Sequence, residues 1–173
     1  QSTSPYSTPK SKASEMEHAI RHHIKVNLEK DPTLYNSFKD RLETILNSYK
    51  ENWEEIVKQL EGLREEMAAG RKPTPDGISA VEAPFYDILK NALSVEDEKD
   101  MEKVKELSHM LILILKETAQ INNFWDKPAE QRLISGRIEE EIYYSQINGF
   151  KSKAAELTTE LLKLAKNREA ELK

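Results

Sequence analysis

Met110-Leu111-Ile112-Leu113-Ile114-Leu115 is the longest wholly apolar run in the chain, and whether it is a strand or a helix decides the fold. Taken alone, six such residues suit a buried strand as well as a buried segment of helix. Outward from the run, helical periodicity continues on both sides, and no glycine or proline interrupts Ser94 to Gln120. The spacing therefore predicts a helix over about residues 95–120, opened by Ser94. Its first turns carry Glu96, Asp97, Glu98 and Asp100, where the helix dipole favours negative charge. Because the second half is apolar on every face, this helix is expected to be central and buried, with the others packed around it.

The flanking segments repeat the helical signal. Ser14-Glu15-Met16-Glu17 forms a capping box, in which the serine accepts the N–H three residues on and Glu17 reaches back. It predicts a first helix with Met16, Ala19, Ile20 and Ile24 as its inner stripe. Asp31-Pro32 then supplies an N-cap and a first helical position. From Leu34 to Met67 apolar residues recur at spacings of three and four without a proline, as one helix or as two joined near Asn47-Ser48. Gly70 can end it, and the prolines and glycine of Arg71-Lys72-Pro73-Thr74-Pro75-Asp76-Gly77 make a loop. A capping box at Ser79 to Glu82 and a short helix around Phe85-Tyr86-Asp87-Ile88-Leu89 follow. After a turn at Asn122 to Asp126, helices are expected from about Pro128 to Ile147 and from about Lys151 to the end. The reading is an all-α, irregular bundle of about six helices around the 95–120 helix. Residues 1–13 are read as a linker or the cut end of a longer chain, and residues 14–173 as a single helical domain.

Composition narrows the function classes. A chain of 173 residues is long enough to bury about two-thirds of its unfolded surface. It has no cysteine, so disulfides, thiol nucleophiles and thiolate metal sites are excluded. No apolar run approaches the roughly 20 residues that span a bilayer. The formal net charge of −5 argues against a free-standing nucleic-acid binder, because phosphate neutralisation needs a concentrated basic surface. The charge is uneven, however: residues 1–30 carry +2 and residues 127–173 carry +1, while 31–69 and 70–126 carry −4 each. Any weak, non-specific DNA contact therefore belongs to the chain ends.

No P-loop, dinucleotide-binding glycine fingerprint, nucleophile elbow or zinc-protease helix is present, and no catalytic residue is assigned. One catalytic alternative rests on two Glu-x-x-His pairs, Glu15/His18 and Glu106/His109. Helical di-iron proteins use this spacing to put a glutamate and a histidine of one helix face on a metal, with further glutamates from other helices. The alternative is thus an independent helical-bundle di-metal enzyme. Against it, the polar residues of the first helix form an ordinary solvated face, and two histidines such as His18 and His22 are too few for a tight site. Trp53, Phe85, Tyr86, Phe124 and Trp125 are expected as core anchors.

The opening stretch Ser14-Glu15-Met16-Glu17-His18-Ala19-Ile20-Arg21-His22-His23-Ile24, followed by Asp31-Pro32 and Tyr35, resembles the C-terminal region of type I restriction enzyme R subunits. The likeness continues at Ala83-Pro84-Phe85-Tyr86 with Leu89, at Phe124-Trp125-Asp126-Lys127-Pro128 and at Leu162-Lys163-Leu164-Ala165-Lys166. It departs from the family pattern at Val26-Asn27-Leu28-Glu29-Lys30. The resemblance implies a piece of a large, ATP-dependent, site-specific deoxyribonuclease of the bacterial or archaeal cytoplasm. The nuclease domain and the two translocase lobes, with their ATP and Mg, would lie upstream, and this domain itself would take no cofactor. The helical C-terminal region would join the motor subunit to the methyltransferase core, near the DNA. Expected partners are the other domains of the same R subunit, the methyltransferase and specificity subunits, and DNA. The candidate contact residues are Arg21, His22, His23 and Lys25 on the first helix, with Arg71 and Lys72 in the loop.

Overall fold

The computed structural model describes residues 8–75 and 77–173. Residues 1–7 of the expected linker and Asp76 of the expected loop lie outside the described residues. All regular structure among the described residues is helical, in eight α-helices and one 3-10 turn, with more and shorter helices than the six expected. Contacts divide the chain into two compact units, residues 1–73 and 74–173. Each has its own hydrophobic core, so the span that the sequence treats as one domain holds two cores.

The first unit is a bundle of α1 (Pro9–Asn27), α2 (Pro32–Ser48) and α3 (Trp53–Ala69), each packed on the other two. Helix α1 starts before the Ser14 capping box: the Thr8 hydroxyl accepts the Ser11 N–H at 3.1 Å, and Pro9 occupies the first turn. Residues 9–13 of the expected linker are therefore helical, and Ala13 joins Met16, Ile20 and Ile24 in the buried stripe. Phe38, Leu42 and Ile45 of α2 and Ile56, Leu60, Leu63 and Met67 of α3 complete this core. The break between α2 and α3 falls just after the expected Asn47-Ser48 bend. There Glu51 takes a positive φ of 57°, and the Asn52 side chain accepts the Glu55 N–H.

One polar contact closes this bundle. Asp31 caps α2 through the Leu34 N–H and is only 6% exposed. Gly70, at φ 78°, turns the chain out of α3 in a conformation that favours glycine, and Arg71 then reaches back to Asp31. Arg71 Nε donates to Oδ2 at 2.7 Å and Nη2 to Oδ1 at 2.6 Å, a bidentate fork that ties the end of α3 to the start of α2.

The second unit contains α4 (Ala83–Asn91), α5 (Glu98–Ala119), a 3-10 turn (Phe124–Asp126), α6 (Pro128–Tyr143), α7 (Phe150–Asn167) and α8 (Glu169–Leu172). Helix α5 packs on α4, α6 and α8, while α4 and α6 also pack on α7. Phe85, Leu89, Leu111, Leu115, Ile138 and Phe150 are among its fully buried side chains. Four expectations need correction. Helix α5 starts at Glu98, capped by Asp97, rather than at Ser94. It is not surrounded: its neighbours cover one side, and Met110 and Leu113 of the apolar run are 45% and 62% exposed. Helix α6 ends at Tyr143 instead of near Ile147, because Gln146 and Gly149 adopt positive φ of 61° and 86° and fold Ile147 into the core. The final helix also divides, at Arg168 with φ −117°.

Truncating the inner face of α5 by Leu111→Ala or Ile114→Ala is expected to cost ~2–5 kcal/mol, against about 0.5 kcal/mol or less for Glu139→Ala or Glu140→Ala on the exposed side of α6. Urea denaturation of the four variants checks this, and equal midpoints would mean that the α5 inner face is wrongly assigned. Arg71→Ala leaves the buried Asp31 carboxylate without its fork and is expected to cost ~1–3 kcal/mol. Adding Asp31→Asn should recover part of that loss, and two single-variant losses that simply add would show that the pair is not coupled.

Candidate functional site

Because Ala13, Met16, Ile20 and Ile24 turn α1 inward, the helical period sets Glu15, His18, His22 and Lys25 on its opposite side, and all four are exposed. His22 and Lys25 take part in no ion pair among the described residues. Lys25 lies in the last turn of the helix, where the dipole favours a cation.

The candidates on either flank of this strip are engaged within the bundle. Arg21 Nε donates to Glu17 Oε1 at 3.0 Å, and its Nη1 donates to Glu43 Oε1 of α2 at 2.6 Å. The hydrogen bond to Glu43 is the main reason that the Arg21 pKa is raised. Partial burial opposes the shift, and Glu17 adds to it. The Arg21 guanidinium is thus a clamp between α1 and α2. The ring of His23 lies 5.8 Å from that of Tyr35, tilted by 55°. Burial, helped by the charge of Asp31, pushes the Tyr35 hydroxyl pKa up. Arg71 is turned inward on Asp31, while Lys72 beside it is exposed. Since Asp31 begins α2 just after α1 ends, Lys72 and Lys25 stand at the same end of the bundle. Of the six candidates, then, Arg21, His22, His23, Lys25 and Lys72 are exposed and Arg71 is half-buried; Arg21 and Arg71 are engaged in ion pairs within the bundle, and His23 lies against Tyr35.

The residues of the di-metal alternative are divided between the two units. Glu15 and His18 belong to the first unit, Glu106 and His109 to the second, and no group of three or more His, Asp or Glu side chains among the described residues is placed to hold a metal ion. His109 instead turns to Glu82, with its Nδ1 2.8 Å from Oε1. Glu82 is buried and also accepts the Ser108 hydroxyl at 2.7 Å.

Sequence reasoning missed this cluster, because it read Glu82 as the far end of a capping box. The Glu82 N–H does meet Ser79 Oγ, at 3.2 Å. Helix α4 nevertheless starts only at Ala83, with Pro84 in its first turn, so the Glu82 carboxylate is released to point into the core. The late start forced by Pro84 is the signal that could have revealed it. The cluster fastens the segment ahead of α4 onto α5.

Residues 3–132 match the family described as type I restriction enzyme HindI endonuclease subunit-like, C-terminal. The match takes in α1 to α5 and the first turn of α6, and it includes His22, Lys25 and Lys72. No curated protein and no solved structure matches the chain. With a family match over most of its length, on helices whose outward residues were first singled out from the sequence, the chain belongs to the C-terminal family of HindI-like type I restriction enzyme endonuclease subunits.

Proposed function

We propose that this chain is a non-catalytic assembly domain, which docks the ATP-driven, DNA-translocating endonuclease subunit onto the methyltransferase core. The observation that carries the reading is the outward strip of α1. His22 and Lys25 are exposed on a helix whose inner stripe is packed in the bundle core, and neither takes part in an ion pair among the described residues, so the core holds the strip outward. A surface held in place loses little freedom on binding, which favours recognition. Lys72 at the same end extends the basic character toward the turn. Partners on this reading are the remaining domains of the R subunit and the methyltransferase and specificity subunits. ATP and Mg belong to the upstream domains, and the setting is the cytoplasm. No helix among the described residues is long and apolar enough to cross a membrane.

His22→Glu combined with Lys25→Glu tests the strip. Because neither side chain takes part in the core or in an ion pair among the described residues, the pair should cost no more than about 0.3–1 kcal/mol, from the anion placed in the last turn of α1, and helicity should be retained. In the complete endonuclease subunit the pair should weaken assembly with the methyltransferase by about tenfold or more, read by titration at fixed salt. Wild-type assembly and cleavage would overturn the proposal. Arg21→Glu is the wrong probe, since it breaks the clamp to Glu43 and perturbs the bundle itself.

Auxiliary DNA contact by the domain is expected to be weak, indifferent to sequence and lost at moderate salt, since a chain of net charge −5 can neutralise few phosphates. Fluorescence anisotropy at several salt concentrations decides this. Tight binding with a base preference is the incompatible result.

A further inference from the structure

Asn148-Gly149 is the one place in the chain where glycine follows asparagine. The pair stands in the turn between α6 and α7, with both residues exposed and Gly149 at a φ of 86°. Among the described residues no hydrogen bond engages the Asn148 side chain or the Gly149 N–H. The turn is held by its neighbours instead. The Phe150 N–H donates to the Ile147 carbonyl at 3.1 Å, Lys103 Nζ donates to the Gln146 carbonyl at 3.1 Å, and the Ser152 hydroxyl donates to the Gly149 carbonyl at 3.0 Å.

Each feature removes an obstacle to one reaction, the attack of a backbone nitrogen on the side-chain amide carbon of the residue before it. A side chain on the attacking residue would crowd its nitrogen, and glycine has none. A hydrogen-bonded N–H would first have to break free, and a buried amide cannot turn to meet it. The other asparagines are all followed by a residue with a side chain. Asn36 and Asn47 also lie inside α2, where helical hydrogen bonding occupies the next N–H, and Asn52 is tied to the Glu55 N–H.

We infer that Asn148 is a modification site, at which the chain spontaneously exchanges an amide for an acid. Gly149 N gives up its proton and bonds to Asn148 Cγ, the Cγ–Nδ2 bond breaks, and Nδ2 departs as ammonia with that proton, leaving a cyclic imide. Water then opens the ring at either carbonyl. Opening at Cγ gives aspartate with the backbone intact. Opening at the main-chain carbonyl gives isoaspartate, whose backbone runs through Cβ and Cγ and is longer by a carbon.

The local field favours the first step. Gly149 is the N-cap of α7, whose first turn has no acidic residue, so negative charge developing on the nitrogen and at Cγ meets the positive end of the helix dipole. The isoaspartate product has a further consequence. It lengthens the path between Ile147 and Phe150, which are 4% and 0% exposed, and a close-packed core has no slack to absorb the added atom. The site is separate from the α1 strip and independent of the assembly reading.

The test incubates the complete endonuclease subunit in mildly alkaline buffer and follows each asparagine by peptide mass spectrometry, with isoaspartate scored by enzymatic carboxyl methylation. Conversion is expected at Asn148 ahead of every other asparagine of this chain, giving both acids, and faster as pH rises because the attacking nitrogen must lose its proton. Asn148→Gln, which disfavours the ring by enlarging it, should suppress the conversion at that position. Asn148→Asp carries the new charge on an unaltered backbone and should leave amide hydrogen exchange around Phe150 at the wild-type rate, whereas the isoaspartate form should exchange faster there. Conversion at Asn148 no faster than at exposed Asn122, or aspartate formed without isoaspartate, would overturn the inference. Wild-type exchange in the isoaspartate form would overturn the claimed strain on the core.

Discussion

A helix whose neighbours all lie on one side can bury only that side, and whatever its other side carries is left to water or to a partner. Both units obey this constraint. In α1 it sends Ala13, Met16, Ile20 and Ile24 inward and leaves His18, His22 and Lys25 outside. In α5 it buries Leu111, Ile114 and Leu115 and strands Leu113, which lies in the same apolar run. The outward residues of α1 are polar and suit water without help. Those of α5 and α6 are not, and their exposure asks for a physical reason in a way that a histidine on a surface does not.

Two buried carboxylates hold the helices at their ends, where apolar stripes give little control. Asp31 joins the start of α2 to Arg71, two residues past the end of α3, and Glu82 joins the segment before α4 to the middle of α5. Each is almost fully enclosed and each has partners of fixed geometry, the Arg71 fork in one case and Ser108 with His109 in the other. A carboxylate in such a place is costly unless its hydrogen bonds are satisfied, so both contacts favour one end-to-end arrangement of the helices over others that would bury the same apolar stripes.

What was legible in the sequence was local. Periodicity located the helices, and Asp31-Pro32, Gly70 and the Asn47-Ser48 bend marked their ends, because caps and breakers act within a few residues. The first helix could have been placed correctly too, since Thr8-Pro9 is the same cap-and-proline signal as Asp31-Pro32. What was not legible depended on partners distant in the chain. Nothing local distinguishes Arg21, which meets Glu43, from Lys25, which takes part in no ion pair among the described residues. The apolar run was read as buried on every face because a run of six covers the whole circumference of a helix. Whether all of it is covered depends on how many helices arrive, and on α5 they arrive on one side only.

The family match bears on the α1 strip through its extent. Residues 3–132 contain all of the α1 strip and all of α5, but of α6 only the helix start falls within the match. The family match thus takes in the whole of the first unit's described helices, and of the second unit α4, α5 and the first turn of α6.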